Sequence, residues 1–129
     1  MKITVNSFND FNREFIDMNR AENFTYEGRQ ALYEWLIELE ESSGVETELD
    51  VIGLCCDFSQ DTIANILDDY NLNTFEDIQD RTIVMYVESP KVDDIEYWEN
   101  FNYLQKPIND DDAAEFDKFF QTEIIIGVF

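Results

Sequence analysis

The sequence contains no histidine, and it has only two cysteines and eight lysine or arginine residues in 129 positions. Without histidine the chain lacks the usual neutral-pH base, which excludes Ser-His-Asp and Cys-His nucleophile systems. Two adjacent cysteines cannot supply the four ligands of an ordinary zinc site. We therefore expect a protein that is not an enzyme, with no catalytic residues, no metal ligands and no cofactor.

Proline and glycine are also scarce, at two and four residues, so no long linker or low-complexity tract interrupts the chain. The length is within the usual range for one domain, and an apolar fraction of 44% is enough to build a core. No apolar stretch approaches the length of a membrane span, and the N-terminus lacks the apolar region of a signal peptide. We predict a single acidic α+β domain over residues 1–129, located in the cytoplasm and without membrane contact.

The two cysteines, Cys55 and Cys56, lie inside the nearly continuous apolar run 49–58. Such a run is typical of a strand covered on both faces. Neighbouring residues on a strand point to opposite faces, so a bridge between these two would be strained. We therefore expect two inert thiols on a core strand, which suits a reducing compartment.

Caps and periodicity predict the other elements. The clearest is a helix over 26–43, ended by Gly44, with its apolar residues on one broad face. Other helices are expected over about 7–19, capped by Ser7, and after Ser59 or Asp61. A capping box at Thr74 predicts a short helical turn after that residue. A further helix is expected over 110–120, and strands are expected over 2–5, 82–87 and 123–129. The predicted fold is α+β, with a small three- or four-stranded, mainly antiparallel sheet packed with four or five helices.

Negative charge is the outstanding property of the sequence. Thirty acidic residues against eight basic ones give a net charge of −22. Between Arg29 and Arg81 there is no lysine or arginine. Such a surface repels nucleic acid and anionic membranes, and it attracts basic proteins quickly at low salt. We expect a basic nucleic-acid-binding protein as the partner, with no direct binding to nucleic acid.

Four glutamates of the predicted 26–43 helix fall in one narrow stripe. They are Glu27, Glu34, Glu38 and Glu41. Over about five helical turns they form a row of negative charge roughly 20 Å long, comparable with the phosphates of a DNA strand. The alternative is an ordinary solvated face, but ordinary faces mix charges of both signs to gain ion pairs. The pattern favours mimicry of DNA.

Acidic residues also raise two enzymatic or metal-binding alternatives. Carboxylate pairs can perform acid–base chemistry, but thirty carboxylates form pairs by chance. When the segment that begins at Asp57 is aligned with the calcium loop of an EF-hand, five positions of the loop carry side chains with oxygen ligands. These are Asp57, Ser59, Asp61, Asn65 and Asp68. Position 6 is Thr62 instead of glycine and position 12 is aspartate, so a strand followed by a capped helix explains the segment better.

The stretch from Asn23 to Ser59, NFTYEGRQALYEWLIELEESSGVETELDVIGLCCDFS, resembles a group of small acidic proteins of bacteriophages, prophages and plasmids. They share an aromatic-Tyr-Glu-Gly helix start, an acidic helix and a Glu-Leu-Asp-Val-Ile strand with paired cysteines. The resemblance extends to 61–70, TIVMYV and EIIIGVF, about two-thirds of the chain. In charge and size the chain is also similar to the DNA-mimic anti-restriction and anti-CRISPR proteins of mobile elements. Segment 89–120 departs from the group and is interpreted as an insertion.

Together, charge and resemblance predict an inhibitor that blocks a host defence protein, a CRISPR effector or a restriction enzyme, in the host cytoplasm. The alternative is a phage adaptor or regulatory protein that binds through the aromatic residues of 89–120, as a monomer or homodimer. Tyr103 is a further candidate anchor. The predicted partner-binding residues are Glu27, Glu34, Glu38, Glu41, Glu46, Glu48, Asp57, Asp61, Asp68, Asp69, Asp93, Asp94, Tyr97, Trp98, Asp110, Asp111 and Asp112.

Overall fold

A computed structural model describes residues 7–45 and 49–128 of the chain. Within these residues there are seven α-helices, one short 3-10 turn and a three-stranded sheet. The helices are α1 (Phe8–Asp17), α2 (Tyr26–Ser43), α3 (Val51–Asp57), α4 (Ile63–Tyr70), α5 (Phe75–Arg81), α6 (Ile95–Glu99) and α7 (Asp110–Phe120), and the 3-10 turn is Ala21–Asn23. The strands are β1 (Phe58–Thr62), β2 (Val84–Tyr86) and β3 (Glu123–Gly127). The predicted α+β class with a small sheet is confirmed.

The described residues divide into two compact units, the first running to Gln60 and including Val128, the second running from Asp61 to Gly127. The first unit contains α1, the 3-10 turn, α2, α3 and the beginning of β1. Its buried side chains include Phe11 and Phe15 of α1 and Leu32 and Leu36 of α2. These residues recur at helical spacing, which is why both helices were predictable.

The second unit contains the end of β1, β2, β3 and helices α4 to α7. The strand order of the sheet is β1–β3–β2, and β3 runs antiparallel to β2 with Met85 opposite Ile125. Its core cluster is formed by Ile63, Ala64, Ile66, Leu67, Phe75, Ile78, Trp98, Phe116, Phe119, Phe120, Ile124 and Ile126. Segment 89–120 therefore supplies a substantial part of this core through Trp98 and the phenylalanines of α7.

Two predicted features of the chain are wrong. The run 49–58 forms helix α3 and the first residue of β1, and a short apolar run does not distinguish a strand from a buried helix. Asp50 accepts a hydrogen bond from the Gly53 backbone N–H (3.0 Å) and so begins a helix. The cap of α4 is Thr62, neither Ser59 nor Asp61, because the Thr62 hydroxyl accepts a hydrogen bond from the Asn65 backbone N–H (3.2 Å).

Local caps otherwise follow the prediction. Ser7 caps α1, Gly44 ends α2 with a left-handed backbone (φ 71°), and Thr74 forms a capping box with Asp77. Helix α7 has the predicted bounds, and β2 and β3 lie within the predicted strands 82–87 and 123–129. The predicted strand over 2–5 lies outside the described residues.

Tyr86 joins the sheet of the second unit to α6. Its ring stacks on Phe75, with centroids 5.2 Å apart, and its hydroxyl donates a hydrogen bond to Glu99 Oε2 (2.7 Å). Burial, followed by the interaction with Glu99, raises the pKa of the Tyr86 phenol well above its usual value. The neutral phenol is thus favoured in the folded protein.

We expect Tyr86→Phe to lower the free energy of unfolding by about 1–2 kcal/mol, because a hydrogen bond to a charged acceptor is lost. The unfolded chain releases the phenolic proton near pH 10, whereas the folded chain retains it, so stability due to Tyr86 is complete below about pH 10 and declines above it. Urea unfolding at about pH 8 and about pH 11 measures both effects. A variant with the same loss of stability between these pH values as the parent would contradict this role for Tyr86.

Candidate functional site: an acidic helix face

Helix α2 is held at both ends by hydrogen bonds, which at its N-terminus include two to the distant Gln60. The Thr25 hydroxyl accepts from the Gly28 backbone N–H (3.0 Å), and Gln60 both donates to this hydroxyl (2.9 Å) and accepts from the Thr25 N–H (3.0 Å). A Cβ at Gly28 would collide with the end of the Gln60 side chain, so a larger residue here would displace Gln60 from its hydrogen bonds with Thr25. At the other end, the Gly44 N–H donates to the Glu40 carbonyl (2.9 Å). The first residues of the acidic stripe are thereby fixed in position.

All four glutamates of the predicted stripe are exposed on α2. At about 100° per residue, Glu27, Glu34, Glu38 and Glu41 fall within an arc of about 60°, and at 1.5 Å per residue they extend over about 21 Å. Glu34 and Glu38 are one turn apart, a spacing at which like charges disfavour an isolated helix by a few tenths of a kcal/mol. The folded unit therefore holds together charges that repel one another.

Arg29 is the sole basic residue of α2, and it points inward. Its side chain is only 9% exposed. The guanidinium donates hydrogen bonds to Asn12 Oδ1 (2.6 Å), to the Phe24 carbonyl (2.6 Å) and to the Ala21 carbonyl. It thus links α1, the 3-10 turn and α2, and it places no positive charge on the exposed face of the helix. Sequence analysis missed this inward orientation, because a single arginine near a helix start carries no local sign of burial.

The predicted extension of the acidic surface beyond Glu41 is only partly described. Glu46 and Glu48 lie outside the described residues, and Asp57 is exposed at the end of α3 in the first unit. Asp61 is half-buried, and its carboxylate accepts from the Thr62 N–H (2.7 Å) and from Asn65 Nδ2 (2.8 Å). Asp68 and Asp69 are exposed on α4 in the second unit. A continuous surface over all these residues stays a prediction.

The predicted anchors in 89–120 differ from one another. Tyr97 is 55% exposed, but Trp98 is only 3% exposed and donates its Nε1–H to Glu115 Oε2 (3.3 Å). The prediction that Trp98 lies at a binding surface is wrong, because the indole packs in the core of the second unit. Tyr103 is half-buried.

The acidic residues of the same segment also have local roles. Asp93 and Asp94 are exposed, and Asp94 caps α6 by accepting from the Tyr97 N–H (3.1 Å). The first turn of α7 is made of three exposed carboxylates, Asp110, Asp111 and Asp112. Carboxylates at this position are favoured by the positive end of the helix dipole. The helix dipole therefore explains this cluster of carboxylates, and no binding partner is needed to account for it.

The cysteines lie on α3, contrary to the predicted core strand. Val51 is buried, and Leu54 and Cys55, three and four residues later, are half-buried, so these three residues form one helix face. Cys56 lies outside this face and is exposed. Burial raises the pKa of the Cys55 thiol, against a smaller opposing effect of its hydrogen bond with Asn23. Cys56 is therefore the thiol that solvent reaches first.

Across residues 7–45 and 49–128, no group of three or more Cys, Asp or Glu side chains has an arrangement that could hold a metal ion. The residues of the calcium alternative are distributed over the end of helix α3, strand β1 and helix α4, which is capped by Thr62. No helix in the same ranges is long and apolar enough to cross a membrane.

Comparisons with family models, with curated proteins and with solved structures found no match to this chain.

Proposed function

We propose that the protein is an inhibitor that binds, through the exposed glutamates of α2, the nucleic-acid-binding channel of a basic host protein. The observation that carries the proposal is the one-signed face of α2: four exposed carboxylates on a narrow arc, with the helix's sole arginine buried beneath them. Exposed helix faces usually carry both signs, because pairs of opposite charge stabilise them. A face of one sign is better explained by an external basic partner.

The proposed mechanism is competition with DNA. A rod of carboxylates about 21 Å long presents negative charge over a length comparable with several phosphates of one DNA strand. A net charge of −22 attracts a basic channel from a distance and raises the association rate at low salt. The protein occupies the channel without undergoing any reaction. We propose a mobile element as its origin and a restriction enzyme or CRISPR effector in the host cytoplasm as its target.

Affinity capture tests this function. Tagged protein is incubated with bacterial lysate, and bound proteins are eluted with a salt gradient or with duplex DNA and identified by mass spectrometry. We expect one dominant nucleic-acid-binding protein that both salt and DNA displace. A partner that stays bound at high salt and in the presence of DNA would instead favour the adaptor function.

The adaptor function remains the second candidate because apolar side chains are exposed in 89–120. Tyr97, Leu104 and Ile108 are 55%, 71% and 99% exposed. Contacts through these residues would be mainly apolar and would tolerate salt. Substituting them would then weaken binding more than changes on α2.

A further inference from the structure

The second unit contains an open pocket beside the C-terminal end of helix α7. It has a volume of about 410 Å³. Its aromatic wall is formed by Tyr103, Phe116 and Phe120, and its polar groups come from Lys106, Asp117 and Gln121. The pocket was not predicted from the sequence, because its lining combines the loop before α7 with the C-terminal part of that helix.

The three rings of the aromatic wall pack against one another, with Phe120 tilted by 46° from Phe116 and by 52° from Tyr103. The rings of Tyr103 and Phe116 are nearly parallel, at 7°, with centroids 5.8 Å apart. The Tyr103 N–H donates to the Asn73 carbonyl (2.7 Å), and the interaction with Asp68 adds to burial in raising the pKa of the phenol. The face that the pocket presents is therefore organised before any ligand arrives.

A cation already lies at this wall. Lys106 Nζ is 5.7 Å from the centroid of the Phe116 ring and 3.4 Å from Asp117 Oδ1. The pocket thus combines the two features that recognise a cationic side chain, the face of an aromatic ring and a carboxylate. Both charged side chains are more than half exposed, at 58% and 59%, so Lys106 is held weakly and can be displaced.

We propose that this pocket receives an arginine side chain of the basic partner, in the place that Lys106 occupies in the free protein. A guanidinium is planar, stacks on aromatic faces and forms paired hydrogen bonds with a carboxylate, whereas the Lys106 ammonium offers only a point charge. The surrounding charge of −22 favours a cationic ligand over an anionic one. The inference rests on the proposed function only for the basic nature of the partner.

The test uses the full chain and a small probe, so it does not depend on finding the partner. Isotope-labelled protein is titrated with N-acetylarginine amide and followed by NMR, with N-acetyllysine amide and sodium chloride at equal ionic strength as references. We expect saturable shifts at Leu104 and Gln121 that are larger with the arginine probe. Shifts that match those of sodium chloride would overturn the proposal.

Charge-matched variants separate the pocket from the general acidity of the protein. Lys106→Ala removes the competing cation and is expected to lower the apparent Kd of the probe about three- to fivefold. Lys118→Ala removes the same charge from an exposed position outside the pocket and is expected to leave the Kd unchanged. Equal effects of the two substitutions would show attraction by net charge alone and would contradict a site.

The carboxylate is tested in the same way. Asp117→Asn is expected to raise the apparent Kd about threefold or more, and Asp80→Asn, an exposed residue of α5, is expected to leave it unchanged. A protein with lysines at the three α2 positions 34, 38 and 41 should still bind the probe. Probe binding without any captured partner would refute the proposed function and leave the arginine pocket intact. A captured partner without any binding of the probe would refute the pocket and leave the proposed function intact.

Discussion

Replacing Glu34, Glu38 and Glu41 together by lysine is expected to weaken binding of the partner by at least about 100-fold at low salt. The substitution changes the charge of the α2 face by six units, so steering towards a basic channel becomes repulsion. Electrostatic steering alone accounts for about 10²–10³ in association rate. The helix should stay folded, because all three side chains are exposed and their mutual repulsion is not stabilising. Circular dichroism and surface plasmon resonance at low and high salt measure the two properties.

The control for this variant carries the same change of charge elsewhere. Asp17, Asp80 and Glu88 are exposed and lie outside the predicted site, so their replacement by lysine alters the net charge equally. We expect the control to keep most of its affinity, with a moderate decrease at low salt from the weaker long-range field. Equal losses in the two triple variants would mean that net charge, and not the α2 face, determines binding.

Arg29→Ala is expected to lower the free energy of unfolding of the first unit by about 3 kcal/mol. The guanidinium is buried and donates to three neutral oxygens, one on α1 and two on the 3-10 turn and its C-terminal cap, and its removal leaves these acceptors without their donor. Hydrogen bonds of a charged group contribute about 1.5–3 kcal/mol, and a buried acceptor left unpaired adds to the loss. Urea unfolding followed by the NMR amide signals of α2 reports on this unit specifically.

Two variants show whether geometry or charge is lost. Arg29→Lys keeps the charge but lacks the planar fork that reaches Asn12 and two carbonyls, so we expect it to recover less than half of the loss. Arg13→Ala removes a positive charge from an exposed position of α1 and should change stability by less than about 0.5 kcal/mol. If Arg13→Ala and Arg29→Ala had similar effects, the internal linking role of Arg29 would be wrong.

The elements that were predictable from sequence depend on local signals. Helix α2 runs from Tyr26, the residue after its Thr25 cap, to Ser43, the residue before Gly44, and the capping box at Thr74 needs only residues within one turn. The exposure of the four glutamates follows from helical periodicity alone. For these features the residues that decide the structure are close together in the chain.

The features that were missed depend on distant residues. The run 49–58 is the exception: it is apolar enough for a strand, but the cap at Asp50, a local signal that the prediction overlooked, begins helix α3. Trp98 reads as a surface aromatic in an acidic segment, yet Glu115, on a different helix, satisfies its N–H. The inward turn of Arg29 and the pocket at Lys106 likewise need the tertiary structure, because their partners come from several segments.

The central claim is that the acidic face of α2 and DNA compete for the same channel. The most direct measurement is binding of a fluorescent DNA duplex to the captured partner, at several duplex concentrations, with increasing amounts of this protein. We predict pure competition: the amount of protein needed for half displacement rises linearly with the duplex concentration, and the α2 lysine variant displaces no DNA. Displacement that is independent of duplex concentration, or a ternary complex containing both DNA and this protein, would contradict mimicry of DNA.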